Sequence, residues 1–472
     1  MDFYIRKVKI TGLFEQGNNY DIDLVEGCNC IYGSNGTGKT TIINLIVNSL
    51  LVDIEALANL PFDSLTIQLA QSGKRRAKSF FCLRKNLTES NLFSNELEFS
   101  YEVDGLEEPI QFDLQSRKYS TKRSEKNESK AESLRDYLLK KVRLTHVPLL
   151  RLHDSELFSL NGDGDEFLYS ALRQRHLPQS KIAEIMDPSV RVLSNLQSQF
   201  VEEANENRKL ITEKLESLKS RLIEKVMINE EIVNQTSKAF SKASKAIKSK
   251  VSDINVDSYV EKLQEAEINV PDEKIKEHFE TWRKLNEDVK SAYEEMKELN
   301  DDKDASEKRR NEVFSKFNTS YFSLFAMNHF HDRFMSVVSD VEKMQDEKDE
   351  LTKHFSDYQD EINKYLEGRK LFRLNSDGRF FVKAGERRIK LSELSSGEKH
   401  IFSILGKAAL SNKQGAIFVA DEPELSLHLD WQRMILPSII KLSPKSQVIV
   451  ATHSPSIFSK GANEIDLEEC VK

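Results

Sequence analysis

The segment Gly33-Ser34-Asn35-Gly36-Thr37-Gly38-Lys39-Thr40 sets glycines, a lysine and a hydroxyl at the spacing of a phosphate-binding loop. Glycines let backbone N–H groups come close to phosphate oxygens, Lys39 would reach the β and γ oxygens of a nucleoside triphosphate, and the Thr40 hydroxyl would ligate Mg²⁺. Thr41 extends the expected ATP-binding stretch. Much later, Ala416-Ile417-Phe418-Val419-Ala420-Asp421-Glu422 is an apolar run ending in two carboxylates. Asp421 is the expected second Mg²⁺ ligand and Glu422 the expected general base toward water. An apolar strand closed by acids is commonplace alone, but it gains meaning beside a phosphate loop.

Just upstream, Leu394-Ser395-Ser396-Gly397-Glu398 opens a helix. A serine hydroxyl, the Gly397 backbone and the positive end of the following helix form an anion site, so Ser395, Ser396 and Gly397 join the expected ATP contacts. A plain helix cap, with Ser396 as cap and Glu398 in the first turn, explains the residue types but not their place before the carboxylate strand. A fourth segment, Val448-Ile449-Val450-Ala451-Thr452-His453, is a strand ending in a histidine.

These residues need particular elements to hold them. Residues 4–10 alternate, 21–24 are short and extended, and the apolar run 28–32 stops at Gly33. A helix is predicted from Lys39 through Ile42, Ile43, Leu45, Ile46 and Leu50. Residues 79–114 read as strands with turns, 116–132 as a polar loop, and 142–150 as a strand that Pro148 moves towards an edge. From 190 to 368 the chain reads as helical. Leu285, Val289, Ala292, Met296 and Leu299 keep heptad steps, as do Leu351, Phe355, Tyr358 and Ile362, and Ile211, Leu215, Leu218 and Leu222 do so briefly. An aromatic-rich stretch, 314–334, is expected to interrupt these helices, as a packed helical turn or a core contact rather than a cofactor site. Ser376-Asp377-Gly378 marks a hairpin, and helix, strand, helix, strand close the chain.

With 472 residues and 39% hydrophobic content the chain can bury a full core. A net charge of −8 argues against a surface that is basic all over, so nucleic-acid binding would need a local patch. No apolar run is long enough to suggest a membrane span and no signal peptide is evident, which predicts a cytoplasmic protein with no membrane partner. The four cysteines form neither a disulfide framework nor a zinc spacing. Cys28 and Cys30 read as two small apolar residues of one strand.

The phosphate loop, the carboxylate strand and the Leu394-to-Glu398 segment together resemble the ABC ATPase superfamily. The resemblance implies an α/β fold: a P-loop ATPase head built from N- and C-terminal lobes and interrupted by a helical insert with short coiled-coil lengths. The expected divisions are 1–189, 190–368 and 369–472. It also implies that the signature of one copy closes on ATP held by the phosphate loop of the other, hence a homodimer with ATP and Mg²⁺. His453 takes the place of the family's switch histidine, in contact with the γ-phosphate or the attacking water. The family's Q-loop falls on Gln68, Gln71 or the segment Leu149-Leu150-Arg151-Leu152-His153-Asp154. Phe14 and Tyr20 lie in the region where an aromatic would stack on adenine, and Pro423-Glu424-Leu425-Ser426-Leu427-His428 occupies the place of the D-loop.

Lys39 and Asp421 are 382 residues apart, more than a compact transporter subunit needs. A head split by a helical insert is similar to the branch of SMC proteins, zinc-hook break-repair ATPases and RecF, but 190–368 contains no cysteine for a hook. The wording Asp421-Glu422-Pro423-Glu424-Leu425-Ser426-Leu427-His428-Leu429-Asp430-Trp431-Gln432, with Ala451-Thr452-His453-Ser454-Pro455, resembles the OLD-like bacterial ATPases. OLD nucleases continue into a Toprim domain, whereas this chain ends about 20 residues after His453. It therefore resembles the stand-alone ATPase subunits of antiphage systems such as Septu and PARIS, which implies a separately encoded nuclease effector. The alternative is a DNA repair or recombination ATPase whose head dimer clamps DNA. Its candidate patches are Lys74, Arg75, Arg76 and Lys78, with Arg117, Lys118, Lys122 and Arg123.

Overall fold

The computed structural model describes residues 3–14, 17–73, 77–91, 94–115, 125–147, 187–226, 255–265, 268, 270–301, 306–412, 416–454, 457 and 461–472. The chain separates into two compact units. One comprises 1–204 and 353–472, the other 205–352.

Three sheets build the first unit. Strands β1 (Phe3–Leu13), β2 (Asn18–Asp23), β4 (Ser64–Gln71), β5 (Ala77–Asn91), β6 (Ser94–Val103) and β7 (Ile110–Gln115) form an antiparallel sheet in the order β2-β1-β4-β5-β6-β7. The alternation seen in the sequence puts Ile5, Val8, Ile10, Leu65, Ile67, Phe81 and Leu83 on its buried face. A second, parallel sheet runs β14-β3-β13-β12-β8, with β3 at Cys28–Tyr32, β8 at Arg143–Val147, β12 at Ala416–Asp421, β13 at Gln447–Ala451 and β14 at Asn463–Asp466. Strands β12 and β13 are buried throughout, as continuous apolar runs covered on both faces must be. Helix α1 (Lys39–Leu51) packs Ile42, Ile43, Leu45, Ile46 and Leu50 into the core shared with the antiparallel sheet, and the short α2 (Ile54–Ala58) follows it with Leu57 buried.

The polar stretch 116–132 corrects one expectation. From Glu125 it is already helical, as α3 (Glu125–Lys141), while 116–124 lie outside the described residues. Among the described side chains of that helix, Leu134 and Leu138 alone are fully buried. Two apolar contacts one turn apart suffice when a formed core is there to receive them, and so narrow a stripe is lost among charges in the sequence. Strand β8 does lie at the edge of its sheet, and Pro148 lies outside the described residues.

The third sheet, β11-β10-β9, comprises β9 (Leu371–Leu374), β10 (Phe380–Ala384) and β11 (Arg387–Ile389). Its first turn closes where Asn375 accepts from Gly378 N at 3.0 Å. Gly378 has φ 80°, and a Cβ there would stand 2.3 Å from the Phe200 carbonyl, so no other residue fits without moving that backbone.

Helix α4 is Pro188–Val226, α5 Val256–Glu265, α6 Asp272–Asp301 and α7 Glu307–Leu366. The aromatic stretch 314–334 is not a break, because α7 runs through it unbroken. Tyr321 and Leu324 are buried against Val289, while Phe314, Phe322 and Phe330 are exposed. In the second unit Leu218, Val260, Leu263, Ile275, Phe279, Val341 and Met344 form one small core. The heptad-like set Phe355, Tyr358 and Ile362 has another cause. These side chains belong to the first unit's core with Phe200, Phe372 and Phe402, so their spacing marks the inner face of a docked helix rather than a coiled-coil seam. No helix among the described residues is long and apolar enough to cross a membrane.

Candidate nucleotide site

The C-terminal ends of adjacent parallel strands are where ligands bind in open α/β sheets. Here β3, β13 and β12 lie side by side and end respectively at the phosphate loop, at Thr452-His453 and at Asp421-Glu422. The order β3-β13-β12 gathers at one edge residues that are 382 positions apart in the chain.

The loop after β3 turns into α1 at Gly38, whose φ is 91°. A Cβ there would meet the Phe14 ring at 2.7 Å, so Phe14 is packed under the loop. Tyr20, the other aromatic of this region, is 5% exposed within the core and has no face free for a base. Helix α1 has no side-chain cap and no acid in its first turn, which leaves its open N–H groups to an anion. Lys39 is buried, and its Nζ donates to the carbonyls of Gly33 at 2.8 Å and Ser34 at 2.9 Å. Burial pulls the Lys39 amine down, while Glu422 and Asp421 pull it back up. One unforeseen residue already answers the loop's donors. Glu468 accepts from Ser34 Oγ at 2.6 Å and from Ser34 N at 3.3 Å.

At the end of β12, Asp421 is 3% exposed and neither carboxylate oxygen has a hydrogen-bond partner among the described residues. Burial pushes its carboxyl up to about 6; Glu422 and Glu424 add to that, and the Thr40 hydroxyl and Lys39 oppose it. A buried, orphaned carboxylate beside a threonine hydroxyl is a hard-oxygen donor pair, and Thr40 with Asp421 fits Mg²⁺.

Glu422 has φ 45°, a left-handed backbone that costs on the order of 1–3 kcal/mol outside glycine. Its N–H donates to Ala451 O at 2.8 Å, and its Oε1 lies 3.1 Å from His453 Nε2. The strained turn aims the carboxylate at the histidine from the next strand, rather than letting it continue along β12.

Helix α8 (Ser396–Leu410) begins at the serine-glycine segment, and its cap is Ser395, not Ser396. Ser395 Oγ accepts from Glu398 N at 3.2 Å and Glu398 Oε2 accepts from Ser395 N at 2.8 Å, a reciprocal capping box. This frees Ser396, which is exposed. Gly397 is buried, with Trp431 and the Ser426 carbonyl 3.3 and 3.4 Å from where a Cβ would stand. Glu398 is also gripped by Lys370 Nζ at 2.7 and 2.8 Å. Burial raises the Glu398 carboxyl, but Lys370 and Ser395 outweigh it and hold the group below its ordinary range. Lys370→Met should therefore lower ATP turnover severalfold while Lys370→Arg retains most of it, as steady-state phosphate release would show.

Lys39, Thr40, Asp421, Glu422 and His453 thus come together at one edge. Among the described residues no hydrogen bond links Ser395, Ser396 or Gly397 to the phosphate loop; Ser395 closes the capping box and Gly397 lies against the Ser426–Trp431 segment instead. Gln68 and Gln71 sit in register within β4, paired with β1, so neither is on a loop. The segment 149–154 lies outside the described residues, as do all the basic patch residues except Lys78, which is exposed on β5. Lys370 and Glu468 escaped the sequence reading and carry no local signal, whereas Glu424 is read there only as part of the segment in the place of the D-loop, with no role of its own.

A phosphate loop, a paired carboxylate edge and a histidine on a parallel sheet define a P-loop nucleotide site. The chain belongs to the AAA ATPase domain family, which matches residues 4–458. No curated protein is similar enough to match. Among solved structures, the Smc head domain with an extended coiled coil bound to the C-terminal domain of ScpA, from Pyrococcus furiosus, is 14% identical, with a TM-score of 0.38 over 96% of this chain and 91% of that one. The Smc head domain with a coiled coil and joint from Pyrococcus yayanosii is 15% identical, with a TM-score of 0.36 over 96% and 93%. Neither value reaches the level at which a shared fold is argued.

Proposed function

We propose that this protein hydrolyses ATP between two copies of itself, and that the cycle of closing and opening controls a separately encoded nuclease effector in bacterial antiphage defence. The observation that carries the hydrolytic part is the gathering of Lys39, Thr40, Asp421, Glu422 and His453 at one sheet edge, with Glu422 and His453 3.1 Å apart. The exposed Ser396 at the start of α8 supports the dimer, because it presents a hydroxyl and a helix N-terminus with no phosphate of its own chain to meet.

In this reading the Gly33-to-Thr41 loop and Lys39 hold the β and γ phosphates, and Ser395, Ser396 and Gly397 of the second copy cover the γ-phosphate. Mg²⁺, when bound by Thr40 and Asp421, neutralises charge on the β and γ oxygens. Glu422 orients a water and takes its proton as the water oxygen bonds to γ-phosphorus. The bond to the β,γ-bridging oxygen breaks with its electron pair leaving on ADP. His453 holds the Glu422 carboxylate in place and reaches the γ-phosphate.

The effector part is supported by the resemblance of the Asp421-to-Gln432 wording to the OLD-like ATPases. Its test is to express the protein with the product of the adjacent gene and purify through one tag. A nuclease that co-elutes, and whose DNA cleavage changes when ATP is replaced by ADP, is the expected outcome. A neighbouring product that is no nuclease, or one that never co-elutes in ATP or ADP, would remove the effector reading and leave the ATPase intact.

A further inference from the structure

Three residues past the end of β12, a second glutamate is buried without any part in the chemistry described above. Glu424 is 5% exposed. Its Oε1 accepts three hydrogen bonds, from the Thr452 hydroxyl, from His453 N at 3.3 Å and from Ser454 N at 3.3 Å. Its Oε2 is buried with no hydrogen-bond partner. Burying a carboxylate is unfavourable unless hydrogen bonds offset it, and here the hydroxyl and the two peptide N–H donors all belong to one turn, 452–454. That turn carries His453.

The surroundings fix both ends of the link. Thr452 is fully buried, and its N–H donates to Ile31 O at 3.0 Å, which ties the start of the turn to the strand before the phosphate loop. On the other side Pro423 O is held by His400 Nε2 at 3.0 Å, a contact from the middle of α8. Glu424 therefore hangs from an anchored backbone and grips the histidine's own peptide N–H. Among the described residues the imidazole meets Glu422 Oε1 through Nε2, at 3.1 Å. A histidine on a free strand end would sweep through its rotamers and lose that alignment, and a positioned group must be held within a fraction of an ångström to act.

We propose that Glu424 is the positioning residue of the His453 turn, acting on hydrolysis only through His453 and not by touching ATP. The proposal rests on the reading of His453 given above. It assigns the three acids at the end of β12 separate tasks: Asp421 to the cation, Glu422 to the water, Glu424 to the histidine. It also explains why a single oxygen suffices. The three donors converge on Oε1, so a carboxamide oxygen can replace it, whereas a methyl group cannot.

The test measures kcat, KM for ATP and melting temperature for Glu424→Ala, Glu424→Gln, Thr452→Val and His453→Ala, and for Glu424→Ala combined with His453→Ala. Glu424→Ala should lower kcat at least about tenfold with KM within about twofold, because the phosphate loop is untouched. Glu424→Gln should stay within about threefold of the parent, and Thr452→Val should fall between the two. In the His453→Ala background Glu424→Ala should cost nothing further, since residues acting through one another are not additive. If Glu424→Ala does not fold, Glu424→Gln and Thr452→Val decide, because the same convergence on one oxygen predicts rescue by the first and loss by the second. The proposal is overturned if Gln is as defective as Ala, if Thr452→Val keeps parental kcat, or if the double variant loses the full product of the two single effects. Parental turnover in His453→Ala would instead remove the histidine's role in hydrolysis, and this proposal with it.

Discussion

Glu422→Gln should reduce ATP hydrolysis by about 10²- to 10⁴-fold while leaving ATP affinity near the parent's. The side chain is isosteric, so the φ of 45° and the donation from Glu422 N to Ala451 O survive the change. The amide can still meet His453 Nε2, 3.1 Å away in the parent, so the histidine keeps its place. What disappears is the ability to take a proton from water. In the proposed site, binding rests on the Gly33-to-Thr41 loop and Lys39, at the end of a different strand, and should be unchanged. ATP that binds without turning over should hold the two copies together. Single-turnover phosphate release, a fluorescent ATP analogue and light scattering with and without ATP measure the three consequences. Turnover close to the parent's would move the base to another residue.

Asp421→Asn should have effects of opposite sign on activity and stability. Without a cation the parent buries a carboxylate at 3% exposure with no hydrogen-bond partner on either oxygen among the described residues. Its carboxyl is pushed up to about 6, so folding favours the protonated form. The sign follows from linkage. Ionised Asp421 costs folding free energy at any pH above its folded value, the cost shrinks as pH falls from about 6 to about 4, and below that it is gone. At pH 7.5 the full cost is on the order of 2–3 kcal/mol, and the asparagine avoids most of it. Melting temperature without Mg²⁺ should therefore rise in Asp421→Asn at pH 7.5, and the difference should vanish near pH 4. Adding Mg²⁺ with ATP should stabilise the parent and not the variant, while hydrolysis in the variant falls about 10²-fold or more. An asparagine variant less stable than the parent without Mg²⁺ would mean that Asp421 is not strained by its burial.

These residues were legible because each sits where a strong local pattern changes. Cys28 to Tyr32 is a buried strand that must stop at Gly33, and Ala416 to Asp421 is apolar until the acid that ends it. Such junctions need no knowledge of the rest of the chain. The cap of α8 was harder, since Ser395 and Ser396 are chemically equal there and only the contact to Glu398 N selects Ser395. The polar helix at 125–141 and the unbroken α7 were misread because composition described their exposed faces. Over 125–141 the buried face is carried by Leu134 and Leu138, and over 314–334 Tyr321 and Leu324 are buried while Phe314, Phe322 and Phe330 stay exposed. Heptad spacing at Phe355, Tyr358 and Ile362 was real, but periodicity reports which face is buried and not against what. Lys370 belongs to a different category. It is 28 residues from Glu398, and only the fold brings its ammonium to the capping box.

The central claim is that the two halves of each ATP site lie on different copies, and mixing two dead variants tests it most directly. Lys39→Ala removes the phosphate loop's cation, and Ser396→Glu puts a carboxylate where the second copy's phosphate would come, at an exposed position that suits an acid. Each variant alone should be inactive. In an equal mixture half the dimers carry one of each chain, and in those one of the two sites pairs an intact Lys39 loop with an intact signature. Turnover should recover to about a quarter of the parent's. A mixture no more active than the two variants measured separately would contradict a shared site and place each ATP within a single chain.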